Sequence, residues 1–214
     1  MRVLDGKKET SLSRAELQAR MSGYDGTDID IGTGDGRYVL DRAARHSERF
    51  IIGLDPVAGA MEQSANRITR PRTRLDNALF VIASVEQMPE ELAGICDQIF
   101  INLPWGSLMR GLILGEPAIL EPLAFIGRRG AIYRIILNLR IFSDPVPLEV
   151  QGLPEVTGEY VRKELRDRYA RAGLDITGAG TVPADTLNDM STTWARRLSH
   201  QRPPPSFQII ARRI

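Results

Sequence analysis

The chain has one cysteine, two histidines and three lysines among its 214 residues, and each scarcity excludes something. A lone thiol, Cys96, cannot form an internal disulfide; at the start of an expected strand it reads as a small buried hydrophobe. His46, His200 and that cysteine are too few and too dispersed for a metal-ligand cluster, so no metal is expected. No stretch approaches about 18 uncharged apolar residues. The N-terminal Met-Arg-Val-Leu-Asp-Gly-Lys-Lys lacks the apolar core of a signal peptide, so a cytoplasmic protein without a membrane partner is expected. Repeats and heptads are missing too.

Acid is absent in two places. The formal net charge is only +1, yet Arg67, Arg70, Arg72 and Arg74 fall within eight residues that hold no Asp or Glu. After Asp189 there is no acid at all, while Arg196, Arg197, Arg202, Arg212 and Arg213 follow. With lysine confined to Lys7, Lys8 and Lys163, these clusters are either a local polyanion footprint or solvated faces of an arginine-rich protein.

At 43% hydrophobic and 26% charged, the chain suffices for one sizeable core, so a single domain over 1–214 and a monomer are expected. Residues 1–26 read as an extension: a short strand, a turn at Gly6, then a helix opened by Ser13-Arg-Ala-Glu16 at capping-box spacing. Strands are expected near 27–31, 50–54, 78–83, 97–102 and 130–139, and helices near 36–46, 58–69, 88–93 and 117–127. Such alternation predicts an α/β fold, a mostly parallel sheet with helices on both faces and ligands outside the carboxyl ends of the strands. Residues 141–158, with Pro145, Pro147, Gly152, Pro154 and Gly158, break the pattern as a long loop. A helix near 159–172, a strand near 174–181, a short helix and loop over 183–198 and a last strand from Phe207 to Arg212 complete the chain.

The segment Asp28-Ile-Asp-Ile-Gly-Thr-Gly-Asp-Gly36 is a buried strand running into a glycine turn. Backbone without Cβ atoms can approach a ligand there, and the next helix aims its free N–H groups at the same spot. A dinucleotide site wants G-x-G-x-x-G. Here the spacing is G-x-G-x-G, with Asp30 and Asp35 beside it. Carboxylates repel a pyrophosphate but suit the ammonium of an amino-acid tail, which favours S-adenosylmethionine (SAM) over a nicotinamide dinucleotide. Asp55 ends the next apolar run, twenty-three residues after Gly32, where an acid accepts from ribose hydroxyls or simply caps the following helix.

Past the fourth core strand comes Asn102-Leu-Pro-Trp-Gly-Ser107. Its Asn-Leu-Pro-Trp resembles the N-P-P-aromatic segment of amino-group methyltransferases, in which an aromatic face stacks on the base that accepts the methyl. Trp194, in Met190-Ser-Thr-Thr-Trp-Ala-Arg-Arg-Leu198, is the second tryptophan, and two indoles could sandwich a planar base while neighbouring arginines hold its phosphates.

Taken together, the motifs resemble the aminoglycoside-resistance 16S rRNA methyltransferases that modify N1 of the A-site adenine, the kanamycin–apramycin type. The likeness runs nearly end to end. It is carried by Asp30-Ile-Gly-Thr-Gly-Asp-Gly36, Gly53-Leu-Asp-Pro56, Ala83-Ser-Val-Glu86 with Pro89, Leu103-Pro-Trp-Gly-Ser-Leu108 and Thr193-Trp-Ala-Arg-Arg-Leu198. It implies a seven-stranded, mostly parallel SAM-dependent methyltransferase (Rossmann-like) sheet with an N-terminal hairpin and helix added. It also implies a cofactor set of Asp30, Gly32, Gly34, Asp55, Val85, Glu86, Asn102, Leu103, Pro104, Trp105, Gly106, Ser107, Thr192, Thr193 and Trp194. Trp105 and Trp194 would clamp a flipped adenine of the 30S subunit. Arg67, Arg70, Arg197 and Arg202 would grip 16S rRNA. S-adenosylhomocysteine would be the coproduct.

Two departures stand out. Pro203-Pro-Pro205 replaces a further basic residue of the family, and the 141–158 loop has only Arg140 at its edge. A SAM-dependent amino-group methyltransferase acting on a small molecule or protein is the alternative. An RNA-binding module with a vestigial SAM fold is a third reading.

Overall fold

In the computed structural model, which describes residues 1–139, 151–182 and 205–214, the alternation becomes a layered α/β architecture. Strands β1 (Arg2–Asp5) and β2 (Lys8–Ser11) form a hairpin, followed by α1 (Arg14–Met21). The capping box is made: the Ser13 side chain accepts from the Glu16 N–H, while the Ser13 N–H donates to the Glu16 carboxylate at 2.8 Å. Next come β3 (Gly26–Ile31), α2 (Arg37–Arg45), β4 (Arg49–Asp55), α3 (Ala58–Ile68), β5 (Ala78–Ile82), β6 (Cys96–Asn102), α4 (Gly106–Leu114), α5 (Pro117–Ile126) and β7 (Gly127–Asn138). Then α6 (Gly158–Tyr160) runs through a π-helical turn, Val161–Leu165, into α7 (Arg166–Arg171); β8 (Leu174–Val182) and β9 (Ser206–Arg213) close the chain.

The strands form one sheet in the order β2-β1-β5-β4-β3-β6-β7-β9-β8. The central five, β5-β4-β3-β6-β7, are parallel. The expected seven strands are β3 to β9, and the expected N-terminal hairpin joins them in one sheet, making nine strands among the described residues. The hairpin's β1 pairs antiparallel with β5 through Val3 opposite Val81 and Leu4 opposite Phe80. Burying Val3 and Leu4 covers what would otherwise be an open hydrophobic edge. Two expectations are corrected. Residues 88–93 form no α-helix: one 3-10 turn, Val85–Gln87, precedes Met88 and Pro89, and a second, Glu90–Leu92, follows them. Helix α4, which was not expected, starts immediately behind Trp105.

Strand periodicity decides the layers. On β4, Phe50, Ile52 and Leu54 enter the larger core, under α4 and α5, while Ile51 enters the smaller core against α2 and α3. Gly53 takes the same face as Ile51, and a Cβ there would lie 2.8 Å from Val39 and 3.0 Å from Phe80, so only glycine lets the helix come this close. On β3 the large-core positions are Ile29 and Ile31, which leaves Asp28 and Asp30 together on the opposite face, both buried. Cys96 is buried as expected, and burial pushes its thiol up, out of reach of ordinary thiolate chemistry.

Candidate functional site

From β3 the chain steps outward to β4 and β5, then returns to β6 on the other side of β3. A crevice opens where the direction reverses, outside the carboxyl ends of these strands. It measures about 440 Å³ and is lined by Asp30, Gly32, Gly34, Asp55, Val85, Glu86, Asn102, Leu103, Pro104, Trp105 and Ser107. Thr192, Thr193 and Trp194 lie outside the described residues. Gly106 does not line the crevice: it begins α4 just behind Trp105. Asp35, noted beside the glycine turn, also lines the crevice, and sequence reasoning missed Thr33, Leu54, Pro56, Ser84 and Leu108, which complete the wall. Each of these five adjoins a predicted site residue, and Leu108 also needed α4 to be foreseen.

The floor is the glycine turn. Gly32, Gly34 and Gly36 all have positive φ (70°, 57° and 73°), so the chain turns within five residues from strand to helix. At Gly36 a Cβ would meet the Phe80 ring at 2.4 Å, which fixes α2 hard against the sheet. At Gly34 a Cβ would meet nothing, because this backbone faces the open crevice. The Gly34 N–H donates to Asp55 Oδ2 and the Val57 N–H to Asp55 Oδ1, both at 2.9 Å, so the carboxylate is aimed by backbone at each oxygen.

Asp30 lies at the bottom of the crevice. Its Oδ1 accepts from the Asn102 side-chain amide at 3.0 Å, which ties the ends of β3 and β6 together. Burial pushes its carboxyl up to about 7; the side chains of Thr33 and Asn102 pull the other way, as does the charge of Arg42, while the neighbouring Asp55 adds to the rise. A buried carboxyl at that value has too little positive charge around it, and a cationic ligand group would supply it.

Above the floor the wall is strained. Leu103 has φ 53°, the one non-glycine residue in the left-handed region among the described residues, and its N–H donates to Ile136 O at 2.8 Å. Such a conformation costs about 1 kcal/mol or more, and it persists because β7 holds it. Trp105 comes two residues later and is 54% exposed. Opposite, Glu86 sits in the 3-10 turn after β5 and accepts from the Ser107 hydroxyl at 2.8 Å. Its own backbone N–H, and then Ser107, hold its carboxyl below the usual range.

A second concavity, of about 800 Å³, lies between α2 and α3. It gathers Arg67 and Arg70 with Arg37, Arg72 and Arg74. Thr73 shapes it, donating its N–H to Arg70 O at 3.0 Å and its hydroxyl to Arg67 O at 2.6 Å, which curls the segment after α3. Its acid, Asp41, is engaged by Arg45 at 3.0 Å, and Arg74 by Asp76 at 2.6 Å. Arg67, Arg70 and Arg72 have no ion pair among the described residues. Arg197 and Arg202 lie outside the described residues.

The five parallel strands, the glycine turn at their switch point and the acid that ends β4 define the SAM-dependent methyltransferase class of fold. The chain belongs to the 16S rRNA (adenine(1408)-N(1))-methyltransferase family (NpmA), which matches residues 2–212. A relative of that name from Streptoalloteichus hindustanus is 36% identical over 99% of this chain and 97% of its own length. The crystal structure of a tryptophan-to-alanine variant of the Catenulisporales acidiphilia enzyme of the same name, with cosubstrate SAM, superposes with a TM-score of 0.93 at 33% identity, covering 100% of this chain and 96% of that one. The antibiotic-resistance methyltransferase Kmr superposes at 0.85 with 35% identity, over 100% of this chain and 99% of its own.

Proposed function

We propose that this chain transfers a methyl group from SAM to N1 of adenine 1408 in the decoding A site of the 30S subunit, and that this modification gives aminoglycoside resistance. It works as a single-domain, cytoplasmic monomer. The observation that carries the reading is the half-exposed indole of Trp105, held on a strained segment at the lip of a crevice with a buried carboxyl at its floor.

The crevice suits the cofactor by its donor set. Asp30 would take the ammonium of the methionine part, and Asp55, already oriented by two backbone N–H groups, the ribose hydroxyls. Val85 and Glu86 would face the adenine, and the backbone from Asn102 to Ser107 the methionine side. Bound there, SAM supplies an electrophilic methyl on a sulfonium.

The rest falls to positioning. Adenine N1 carries an in-plane lone pair at neutral pH, so no general base is required. Trp105 and Trp194 would sandwich the flipped base, and stacking of about 1–3 kcal/mol per base offsets unstacking of a few kcal/mol. Holding the acceptor in line supplies most of the rate through effective molarity. Arg67 and Arg70 in the basic concavity, with Arg197 and Arg202, would engage rRNA phosphates, so the folded 30S surface selects the adenine rather than base readout.

Reverse transcription across the A site of 30S subunits incubated with protein and SAM tests this, because N1 methylation blocks pairing and stops the polymerase. A stop at adenine 1408 is expected on intact 30S and hardly any on a naked A-site hairpin. Methylation of a small amine or a protein, with 30S untouched, would move the chain to the alternative.

A further inference from the structure

We propose that Ser107 is a positioning residue: its hydroxyl, donated to Glu86, ties the wall that receives the cofactor's adenine to the segment that carries Trp105. This rests on the functional reading above, in which adenine lies near Glu86 and the target base on Trp105.

The indole has little else to hold it. Trp105 is 54% exposed and precedes the first residue of α4, between Leu103 at φ 53° and Gly106 at φ 61°. On one side the segment is fastened to the sheet by the Leu103 N–H on Ile136 O at 2.8 Å. On the other, the Met109 N–H reaches Trp105 O at a long 3.4 Å, a frayed first helical bond. The short contact on that side is Ser107 Oγ to Glu86 Oε1, 2.8 Å, which bridges from α4 to the turn after β5 across twenty-one positions of sequence. A hydroxyl on a carboxylate is a charge-assisted bond, stronger than a neutral one. Both ends line the crevice, so a planar ligand between Val85 and Leu103 would lie against this bridge and exclude water from it. Filling the adenine pocket then stiffens the segment that presents the indole. The order of events follows: cofactor first, then a rigid platform for the base.

The test uses Ser107→Ala, Ser107→Thr and Glu86→Gln in the full chain. On 30S subunits at saturating SAM, Ser107→Ala should lower kcat about tenfold or more while calorimetric SAM affinity stays within about threefold. Threonine, which keeps the hydroxyl, and glutamine, which keeps an acceptor, should restore most of kcat. For the spectroscopic arm a Trp194→Phe background leaves Trp105 as the sole indole, since the chain has two tryptophans. There Ser107→Ala should lower the fluorescence anisotropy of Trp105 and abolish its further rise with S-adenosylhomocysteine. An unchanged kcat, an activity loss explained wholly by weaker SAM binding, or anisotropy equal to the parent's would overturn the proposal. Anisotropy of the cofactor-free chain reads the tie by itself, so a parent that fails to methylate 30S would strike the functional reading and leave that arm decisive.

Discussion

Two aspartates stand two positions apart on one face of β3, and they have opposite surroundings. Asp28 is fully buried and held by two guanidiniums: Arg42 Nε reaches Oδ2 at 2.5 Å and Arg49 Nε reaches Oδ1 at 2.7 Å, with Arg49 Nη2 as a further contact. Asp30 is equally buried, but its direct partner is the neutral amide of Asn102, and burial leaves its carboxyl raised to about 7. A fold neutralises the charges it keeps for itself. A charge left short of compensation at the end of a strand is directed at something that arrives from outside.

The largest effect should come from breaking the compensated member. Asp28→Ala leaves the largely buried guanidinium of Arg42 without its carboxylate and that of Arg49 with only Asp97 at 3.8 Å, and is expected to lower stability by about 3 kcal/mol or more, read as a shift in urea midpoint. A loss below about 1 kcal/mol would mean that solvent, not Asp28, satisfies those arginines.

Asp30→Asn should do the reverse. The fold keeps its stability or gains some, because an uncompensated buried carboxyl has gone, while SAM binding weakens by about 2 kcal/mol, some thirtyfold. Calorimetry and urea unfolding on the same preparation separate the two. A variant that loses stability and keeps its affinity would reverse the roles given to the pair.

A pH series sharpens the comparison further. Asp30 titrates at about 7 in the folded chain and at about 3.9 when unfolded, so between these values the folded state holds a proton that the unfolded state has released. Its contribution to stability is full below about pH 4 and is lost as pH rises through about 7. An ammonium ligand prefers the ionised carboxyl, so SAM affinity should fall by up to about tenfold per unit as pH drops below about 7. Both slopes should flatten in Asp30→Asn.

Trp105 should matter little to stability. Its side chain is 54% exposed, so Trp105→Ala should cost less than about 1 kcal/mol, against the 3–5 kcal/mol typical of a core tryptophan, with SAM affinity near the parent's and the A-site reverse-transcription stop lost.

Much of the framework was legible because its signals are local. A short strand running into the glycine turn at Gly32 and an apolar run ending in Asp55 marked strands whose carboxyl ends had to meet, and Ser13 with Glu16 announced α1 by capping chemistry alone. Helix α4 was not legible. Proline, tryptophan and glycine at 104–106 read as loop, and the apolar spacing of Leu108, Met109, Leu112 and Ile113 was short enough to pass for loop as well. The hairpin's place at the sheet edge was equally hidden, since Val3 and Leu4 find their partners in β5, more than seventy positions away.

What the sequence determined by itself is the alternation of the core strands with α2, α3 and α5, the glycine turn and the spacing of the acid that follows it, because these depend on neighbours within a turn or a strand. Only the tertiary structure decided which aspartate has its charge compensated by the fold and which does not. Asp28 and Asp30 have the same side chain, the same strand and the same face. Their difference comes from Arg42 on α2, Arg49 on β4 and Asn102 on β6. Burial makes that difference large, since a carboxylate cut off from water depends on whichever groups the fold has brought beside it.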